Sequence, residues 1–245
     1  MCRNGIFVLL LAYLVSQGAR AQSYVDILDH PHMAAILIHQ SGYNYDFACN
    51  GVVVSNYFVI TTASCDLRGS SVTDLKVRVG STYRNYGGQM QSVSEIHRHE
   101  FFDKNLDYDI AILKMSGYVN TGNRVSVALL PKPGTEIYNT VTFVYWDTPS
   151  PRLLNVQTDT LTLQSCDILF KTYFPDKQLL SEKMMCTKAL NVCEKPPGGA
   201  IFINGTVYGL FSWTRCGQTL SSPTIPVFTR ISAFNDWIMS YIMNP

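Results

Sequence analysis

The 245-residue sequence lacks a large excess of charge, a long apolar run beyond its first residues, and any low-complexity tract. Its 19 basic and 18 acidic residues nearly cancel, so the protein has no overall field that would attract nucleic acid or an anionic membrane. After the N-terminus, no apolar stretch is long enough to span a bilayer. We therefore predict a function that involves neither nucleic acid nor a membrane.

The first 21 residues have the composition of a secretory signal peptide. Arg3 supplies the positive charge, Ile6 to Val15 form an apolar run too short to cross a bilayer, and Ala19-Arg20-Ala21 is a small-x-small cleavage site. A signal anchor that stays attached is the alternative. We expect residues 1–21 to be removed and residues 22–245 to be secreted as one large domain or two small packed ones.

Closely spaced metal ligands are also lacking. No Cys-x-x-Cys and no close Cys/His pair predicts zinc, and we expect neither a metal ion nor another cofactor. Of the seven cysteines, Cys2 would leave with the signal peptide, and six remain: Cys49, Cys65, Cys166, Cys186, Cys193 and Cys216. An even number in a secreted chain indicates disulfides, although six cysteines allow fifteen pairings.

Short runs of β-branched and aromatic residues, separated by turn residues, predict an all-β protein. Many short strands at this spacing indicate a barrel or a sandwich. Two helices are predicted, from Ser165, as a cap, to Tyr173 and from Ser232 to Met243. The predicted strands include Val52 to Ile60, Leu75 to Val79, Ile110 to Leu113, Val141 to Tyr145, Leu153 to Leu163, Ala200 to Ile203, Val207 to Ser212 and Val227 to Ile231.

The stretch from Cys193 to Gly199 and the hairpin after it resemble the nucleophile region of the chymotrypsin/trypsin-like serine proteases. In that family a Gly-Asp-Ser-Gly-Gly run follows a cysteine by two residues and leads into a strand, a tight turn and Ser-Trp. Here both glycines, the Asn204-Gly205 turn and Ser212-Trp213 keep this frame. The Gly-Asp-Ser itself is replaced by Lys195-Pro196-Pro197.

Further segments match the family in the expected order from about Pro31 onward. They are Cys49-Asn50-Gly51 for Cys-Gly-Gly, Thr62 to Cys65 for Ala-Ala-His-Cys, Leu106 to Leu113 for the Asn-Asp-Ile-x-Leu strand, Tyr145-Trp146-Asp147 for Gly-Trp-Gly, and Trp237-Ile238 in the C-terminal helix. The resemblance implies two six-stranded antiparallel barrels meeting at a cleft, at about 31–135 and 136–230, and a helix at about 231–243. It also implies the disulfides Cys49–Cys65, Cys166–Cys186 and Cys193–Cys216.

The resemblance places the catalytic triad at Ser64, Asp109 and Pro197, and only Asp109 is the family's residue. Pro197 has no heteroatom that could act as a nucleophile, and the hydroxyl of Ser64 cannot serve as a general base near neutral pH. Pro197 also lacks the N–H of an oxyanion hole, and Lys195 replaces the glycine that gives the other donor. We therefore expect a protease fold without protease catalysis.

Activation and substrate selection are altered as well. Active members are cut before Ile-Val-Gly-Gly, and the new ammonium pairs with the aspartate that precedes the catalytic serine; this sequence has no such cleavage site, and the aspartate position is Pro196. The floor of the substrate pocket is Asn191, and Thr214 and Pro226 replace the wall glycines. We predict no zymogen activation and a shallow or closed pocket without selection for Lys or Arg.

Asp109, His97 and His99 have non-catalytic explanations. A buried carboxylate needs hydrogen bonds wherever it lies, and we predict that Ser64 and Ser212 supply them. His97 and His99 lie on the loop before Asp109, near the family's cleft rim. Either is a candidate substitute base, but because no nucleophile is paired with them, we interpret both as exposed polar rim residues.

Asn204-Gly205-Thr206 is a sequon for N-glycosylation. Asn-Gly is also a favoured pair for a two-residue hairpin turn, because both residues tolerate a positive φ. Both properties are compatible on an exposed tip.

The sequence thus predicts a secreted, catalytically inactive serine protease homologue. It would act by binding an extracellular protein, namely a protease, a protease substrate or an inhibitor, as a cofactor, regulator or decoy in a reproductive or other body fluid. One alternative is a serine-type endopeptidase with weak or rearranged activity, which a serine-directed phosphonate would label. The other is a bulk structural or carrier protein, which saturable, mutation-sensitive binding would exclude.

Overall fold

The structure is a computed structural model, and it describes residues 21–39, 44–65, 71–103, 105–173, 180–190, 192–193, 195–216 and 224–243. Residues 1–20 of the predicted signal peptide and Asn191 lie outside these ranges. Within them, no helix has both the length and the apolar character needed to cross a membrane.

The chain is built mainly of short β-strands. The early strands are β1 (Ser23–Tyr24), β2 (Met33–His39), β3 (Tyr45–Val53), β4 (Phe58–Thr61), β5 (Leu75–Val79), β6 (Gln89–Arg98) and β7 (Ala111–Met115). The later strands are β8 (Thr140–Tyr145), β9 (Leu154–Leu161), β10 (Met184–Thr187), β11 (Ala200–Ile203), β12 (Thr206–Arg215) and β13 (Ile225–Arg230). Two α-helices accompany them, α1 (Leu163–Tyr173) and α2 (Asn235–Ile242).

The strands form two sheets, which confirms the predicted all-β fold with two barrels. The first sheet closes as a six-stranded barrel in the order β2-β3-β4-β7-β6-β5. The second has the order β1-β9-β10-β13-β12-β11-β8, and β8 also pairs with β9. Its six longer strands therefore close into a ring, with β1 added at the outside of β9.

The N-terminal segment belongs to the second sheet although it precedes the first. Tyr24 pairs with Leu154, and the N–H of Val25 donates to Leu153 O at 3.1 Å. The side chain of Ile27 is fully buried in the core. The segment therefore ties the second ring to the start of the first barrel.

The single strand predicted from Val52 to Ile60 is wrong, because a turn divides it into β3 and β4. The hydroxyl of Ser55 accepts from the N–H groups of Tyr57 and Phe58, both at 3.1 Å. A serine that satisfies two successive backbone donors favours a turn over an extended chain. The apolar run alone does not show this break.

The helix predictions are right in place but not in detail. Helix α1 begins at Leu163, and its first turn is capped by Thr162, whose hydroxyl accepts from Ser165 N at 3.0 Å. The predicted Ser165 cap is therefore wrong. Ile168 on α1 is 47% exposed. The predicted C-terminal helix is a 3₁₀ turn at Ile231–Ala233 followed by α2.

All three predicted disulfides are present. They are Cys49–Cys65, Cys166–Cys186 and Cys193–Cys216, with Cα–Cα distances of 6.0, 6.4 and 5.6 Å. The first closes the loop after β4, the second joins α1 to β10, and the third joins the segment before β11 to the end of β12. Two of the three therefore fix segments that carry the triad positions.

Candidate functional site

The pairing of the first barrel brings two triad positions together. Strands β4 and β7 are antiparallel, with Thr61 opposite Ala111. Ser64 follows β4 by three residues, and Asp109 precedes β7 by two. The two side chains therefore emerge at the same end of this strand pair.

Asp109 is buried, with 1% of its surface exposed, and both its carboxylate oxygens are hydrogen-bonded. Oδ1 accepts from Ser64 N at 2.6 Å, and Oδ2 accepts from Ser64 Oγ at 2.7 Å and from Ser212 Oγ. Burial raises the pKa of Asp109, and the hydrogen bonds from Ser212, Ser64 and the Ala63 backbone only partly offset this. The predicted partners Ser64 and Ser212 are confirmed.

Two local irregularities of the backbone orient the side chains of Asp109 and Ser212. Leu106 and Tyr108 have positive φ values of 62° and 52°, which non-glycine residues rarely adopt. On the other side, the pairing of β12 with β13 shifts between Phe211 and Trp213, so Ser212 sits on a β-bulge. A bulge redirects a side chain out of the regular alternation, and here it presents Ser212 to Asp109.

The turn at the nucleophile position keeps its glycine for a steric reason. Gly198 has φ = 82°, and a Cβ on it would lie 2.0 Å from Asn50 O and 2.7 Å from Thr61 Oγ1. Its N–H donates to Phe211 O at 2.8 Å. No side chain fits there, so the frame of the turn survives although its reactive residues have changed.

Asn50 fastens this turn to both barrels, and sequence reasoning did not single it out. Its N–H donates to Pro197 O at 2.9 Å. Its side-chain amide donates to Trp146 O at 3.2 Å and to Pro196 O at 3.4 Å, and its Oδ1 accepts from Trp146 N at 2.7 Å. Asn50 is fully buried and stands at a family glycine position. The substitution of that glycine was the available signal.

Lys195 forms an ion pair with Asp147, which the sequence did not predict. The ammonium contacts Asp147 Oδ2, while Thr148 N donates to Oδ1 at 2.7 Å. The side chains of Lys195 and Asp147 are 19% and 7% exposed. Both residues stand at family glycine positions, so this turn carries a cation and an anion where the family pattern has neither.

His99 is not the exposed rim residue that we expected, because aromatic rings cover it. It is 8% exposed and packs against Phe101, Tyr108, Phe234 and Trp237, with ring centroids 4.8–5.7 Å apart. Its Nδ1 accepts from Phe101 N at 3.2 Å. Burial lowers the pKa of His99, which favours the neutral ring.

His97 is more accessible than His99, with 32% of its side chain exposed. Its Nε2 lies 2.8 Å from Glu95 Oε2, and its ring lies 4.7 Å from that of Tyr241. Its side chain contacts Glu95 and Tyr241, and neither residue belongs to the triad positions.

The predicted wall positions of the substrate pocket face one another across a strand pair. Thr214 on β12 is opposite Pro226 on β13, and Thr214 Oγ1 donates to Ile225 O at 3.0 Å. The floor position, Asn191, lies outside the described residues. Closure of the pocket therefore stays a prediction.

The assembled site offers little for hydrolysis. Its carboxylate is saturated by two serines, Pro197 supplies neither a nucleophile nor an N–H, and the nearby cation is paired. Within the described ranges, no group of three His, Cys, Asp or Glu side chains could hold a metal ion. What remains is a rigid junction with a polar, hydrogen-bonded interior.

Comparison with known proteins places these observations in context. The sequence model of the family described as Trypsin matches residues 20–238. Alkaline trypsin B of Manduca sexta is 28% identical over 233 residues, covering 88% of each chain. A trypsin of Phaedon cochleariae is 29% identical over 201 residues, covering 78% of this chain and 77% of its own.

Two solved structures from the scabies mite have the same fold. The inactivated protease paralogue S-D1 superposes with a TM-score of 0.77 at 20% identity, covering 90% of this chain and 96% of its own. The inactivated protease paralogue S-I1 gives 0.75 at 20% identity, covering 92% and 100%. At this identity the likeness is one of fold.

Proposed function

The chain belongs to the trypsin family, and from this premise we propose that it is a secreted, catalytically inactive member that acts by binding another protein. The observation that carries the proposal is the hydrogen bonding of Asp109. Where the family places an imidazole against this carboxylate, Ser64 donates both its N–H and its hydroxyl to it. Because position 64 carries a serine and not a histidine, the carboxylate has no imidazole to orient at this position.

Two further features support the loss of catalysis. Proline at position 197 removes both the nucleophile and an oxyanion donor. The Lys195–Asp147 pair and the amide of Asn50 hold the adjoining turn through contacts within the chain. This bonding replaces the ammonium–aspartate pair of family activation, for which Pro196 leaves no partner. Removing one oxyanion-hole donor alone typically costs about 10²- to 10³-fold in rate.

Secretion is supported by the composition of residues 1–21 and by the three disulfides, which persist in oxidising compartments. The proposed partner is an extracellular protease, a protease substrate or a protease inhibitor. The chain would serve as its cofactor, regulator or decoy. Such a partner would contact the cleft rim. Phe101, in the segment that precedes Asp109, is 63% exposed.

A labelling experiment tests the absence of catalysis. The secreted protein and an active trypsin at equal concentration would be treated with a serine-directed phosphonate, and the bound probe would be measured by intact mass. We expect complete labelling of the active enzyme and none of this chain. Labelling that is lost in a Ser64→Ala variant would show a rearranged active site and overturn the proposal of inactivity.

A capture experiment tests binding at the cleft. The native protein is immobilised as the bait and exposed to its source fluid. A Phe101→Glu, Thr214→Lys double variant is treated in parallel. His99 is left unchanged, because it is buried. An Ile168→Glu variant, altered at a side chain 47% exposed on α1, is the matched control. We expect a saturable partner that the control retains and the double variant loses. Equal recovery by both variants would show that the interface lies outside the cleft. The absence of saturable binding would favour a bulk structural or carrier protein.

A further inference from the structure

A cavity lies away from the triad positions. Its volume is about 280 Å³, and it forms where the segment before β2 meets the ends of β8 and β11. Its lining includes Asp29, His30, His32, Thr142, Phe202 and Asn204. None of these residues takes part in the site described above.

Asn204, the sequon asparagine, lies at the edge of this cavity. Ile203 pairs with Thr206 across the two-residue turn, and Asn204 and Gly205 have φ values of 48° and 77°. These values belong to the turn type that Asn-Gly favours. Asn204 is exposed while its neighbours Phe202 and Val207 are buried. A sugar joined to its side-chain nitrogen would begin at the mouth of the cavity.

The lining of the cavity is mainly polar and includes the carboxyl group of Asp29. Burial lowers the pKa of both His30 and His32, so both rings are neutral near pH 7. His32 Nδ1 lies 3.0 Å from Ser126 O, which can only accept, so Nδ1 carries the proton and Nε2 is an acceptor. Phe202 packs against both rings, with centroids 6.3 and 5.6 Å away.

This chemistry fits a sugar ring better than a charged ligand. N-acetylglucosamine is neutral, carries hydroxyl and amide groups, and has one face of C–H groups. The cavity offers acceptors at His32 and Asp29, a hydroxyl at Thr142 and an apolar floor at Phe202. Its volume is near the lower end, about 300 Å³, of ligand pockets. It suits the first sugar of a glycan and not the branched remainder.

We propose that an N-linked glycan on Asn204 folds back so that its first N-acetylglucosamine occupies this cavity. The proposal rests on the secretion included in the proposed function, but not on the loss of catalysis. The sugar would join the segment before β2 to the hairpin of β11 and β12. The glycan is then a structural part of the fold and not a flexible surface appendage.

Stability measurements on graded glycoforms test the proposal. The chain is produced in a eukaryotic secretory host behind a heterologous signal sequence, so that the result does not depend on residues 1–21. One sample keeps the whole glycan, a second is trimmed by endoglycosidase to one N-acetylglucosamine, and a third has the glycan removed by amidase. Because the amidase leaves aspartate, an Asn204→Asp variant controls for the new charge.

We expect the trimmed form to keep the melting temperature of the intact glycoprotein, and the sugar-free forms to melt about 2–4 °C lower. In a Thr142→Val, Asp29→Ala variant, the difference between trimmed and sugar-free forms should disappear. Hydrogen exchange of residues 29–32 should slow only when the first sugar is present. An unmodified Asn204 by mass spectrometry, or identical melting and exchange with and without the last sugar, would overturn the proposal.

Discussion

Asp109 and Asp147 are both buried carboxylates near the nucleophile turn, but they are stabilised in different ways. Asp109 accepts hydrogen bonds from the neutral groups of Ser64 and Ser212, without a cation. Asp147 accepts from Thr148 N and from the ammonium of Lys195. Asp109 matches the family pattern and has a new partner at Ser64. Asp147 and its partner Lys195 both stand where the family pattern has glycine.

The difference shows that a buried carboxylate near this turn can be stabilised either by neutral donors or by a paired cation. A retained carboxylate needs only replacement donors, and small hydroxyls can fill the space near it. A new buried charge needs a counter-charge, because an isolated ion in the interior is costly. The hydrogen bonds to Asp109 therefore account for its burial without requiring a catalytic role.

Breaking the Lys195–Asp147 pair should have the largest effect. Either Lys195→Met or Asp147→Leu leaves the other charge in a partly buried position, and we expect up to about 3–5 kcal/mol of lost unfolding free energy. The double variant should recover much of this loss, because neither charge then remains unpaired. Urea denaturation of the two single variants and the double variant measures the coupling.

A surface ion pair of α1 is the matched control for that cycle. Lys171 and Asp167 are paired four residues apart, with side chains 73% and 44% exposed. Replacing Lys171 by Met should cost no more than about 0.5 kcal/mol. If the Lys195 and Asp147 losses simply add in the double variant, the two side chains are not energetically coupled and the comparison with Asp109 fails.

Removing the hydroxyl donors of Asp109 should have an intermediate effect. Ser212→Ala and Ser64→Ala each leave a buried acceptor short of one hydrogen bond, and we expect losses of about 1–3 kcal/mol. Ser212→Ala should cost more, because Ser212 is buried and Ser64 is only partly so. Ser94→Ala, which removes an exposed hydroxyl bonded to Lys114 O, should stay within about 0.5 kcal/mol. No loss in Ser64→Ala would contradict the structural role of Ser64.

The sequence predicted the fold and the Asp109 contacts because both follow the family frame. The strand pattern, the three cysteine pairs and the Gly198-Gly199 turn all lie on landmarks that keep their order along the chain. Once that frame is accepted, Ser64 and Ser212 are placed beside Asp109. These contacts are inherited from the topology and need no information about side-chain packing.

The Lys195–Asp147 contact could not be predicted in the same way. The two residues are 48 positions apart, and Asn50 bonds to Trp146 across 96 positions. Local periodicity contains no information on such pairs. Each substitution of a family glycine was visible in the sequence. The contact of Asn50 with Trp146 depends on how the two barrels dock, and the Lys195–Asp147 contact depends on the pairing of β8 with β11.

The burial of His99 was missed for a related reason. Its neighbours in the sequence are polar or exposed, and the rings that cover it come from the loop at Tyr108 and from Phe234 and Trp237 at the C-terminus. The face of the C-terminal segment that carries Phe234 and Trp237 packs against the core. That this face closes over a histidine of the first barrel is again a consequence of tertiary packing.

The most subtle difference between the two carboxylates should appear in the pH dependence of stability. Asp109 has a pKa raised by burial above its usual value of 3.8. Below that value the group is protonated in both the folded and the unfolded states. As the pH rises through the folded pKa, the unfolded state has already released its proton while the folded state resists, so stability is lost. The unfolding free energy of the wild type, relative to that of an Asp109→Asn variant, should therefore fall with rising pH.

A Glu95→Gln variant gives the control of opposite sign. Hydrogen bonds from Lys114 and His97 lower the pKa of Glu95 below 4.5, so its contribution is present above that value and is lost as the pH falls. Chemical denaturation of the wild type and both variants between about pH 3 and pH 8 would show slopes of opposite direction. If the wild type instead gained stability over the Asp109→Asn variant with rising pH, the ionised form of Asp109 would be the one favoured by folding. Neutral donors would then stabilise a buried charge as well as the ammonium of Lys195 does, and the contrast with Asp147 would not hold.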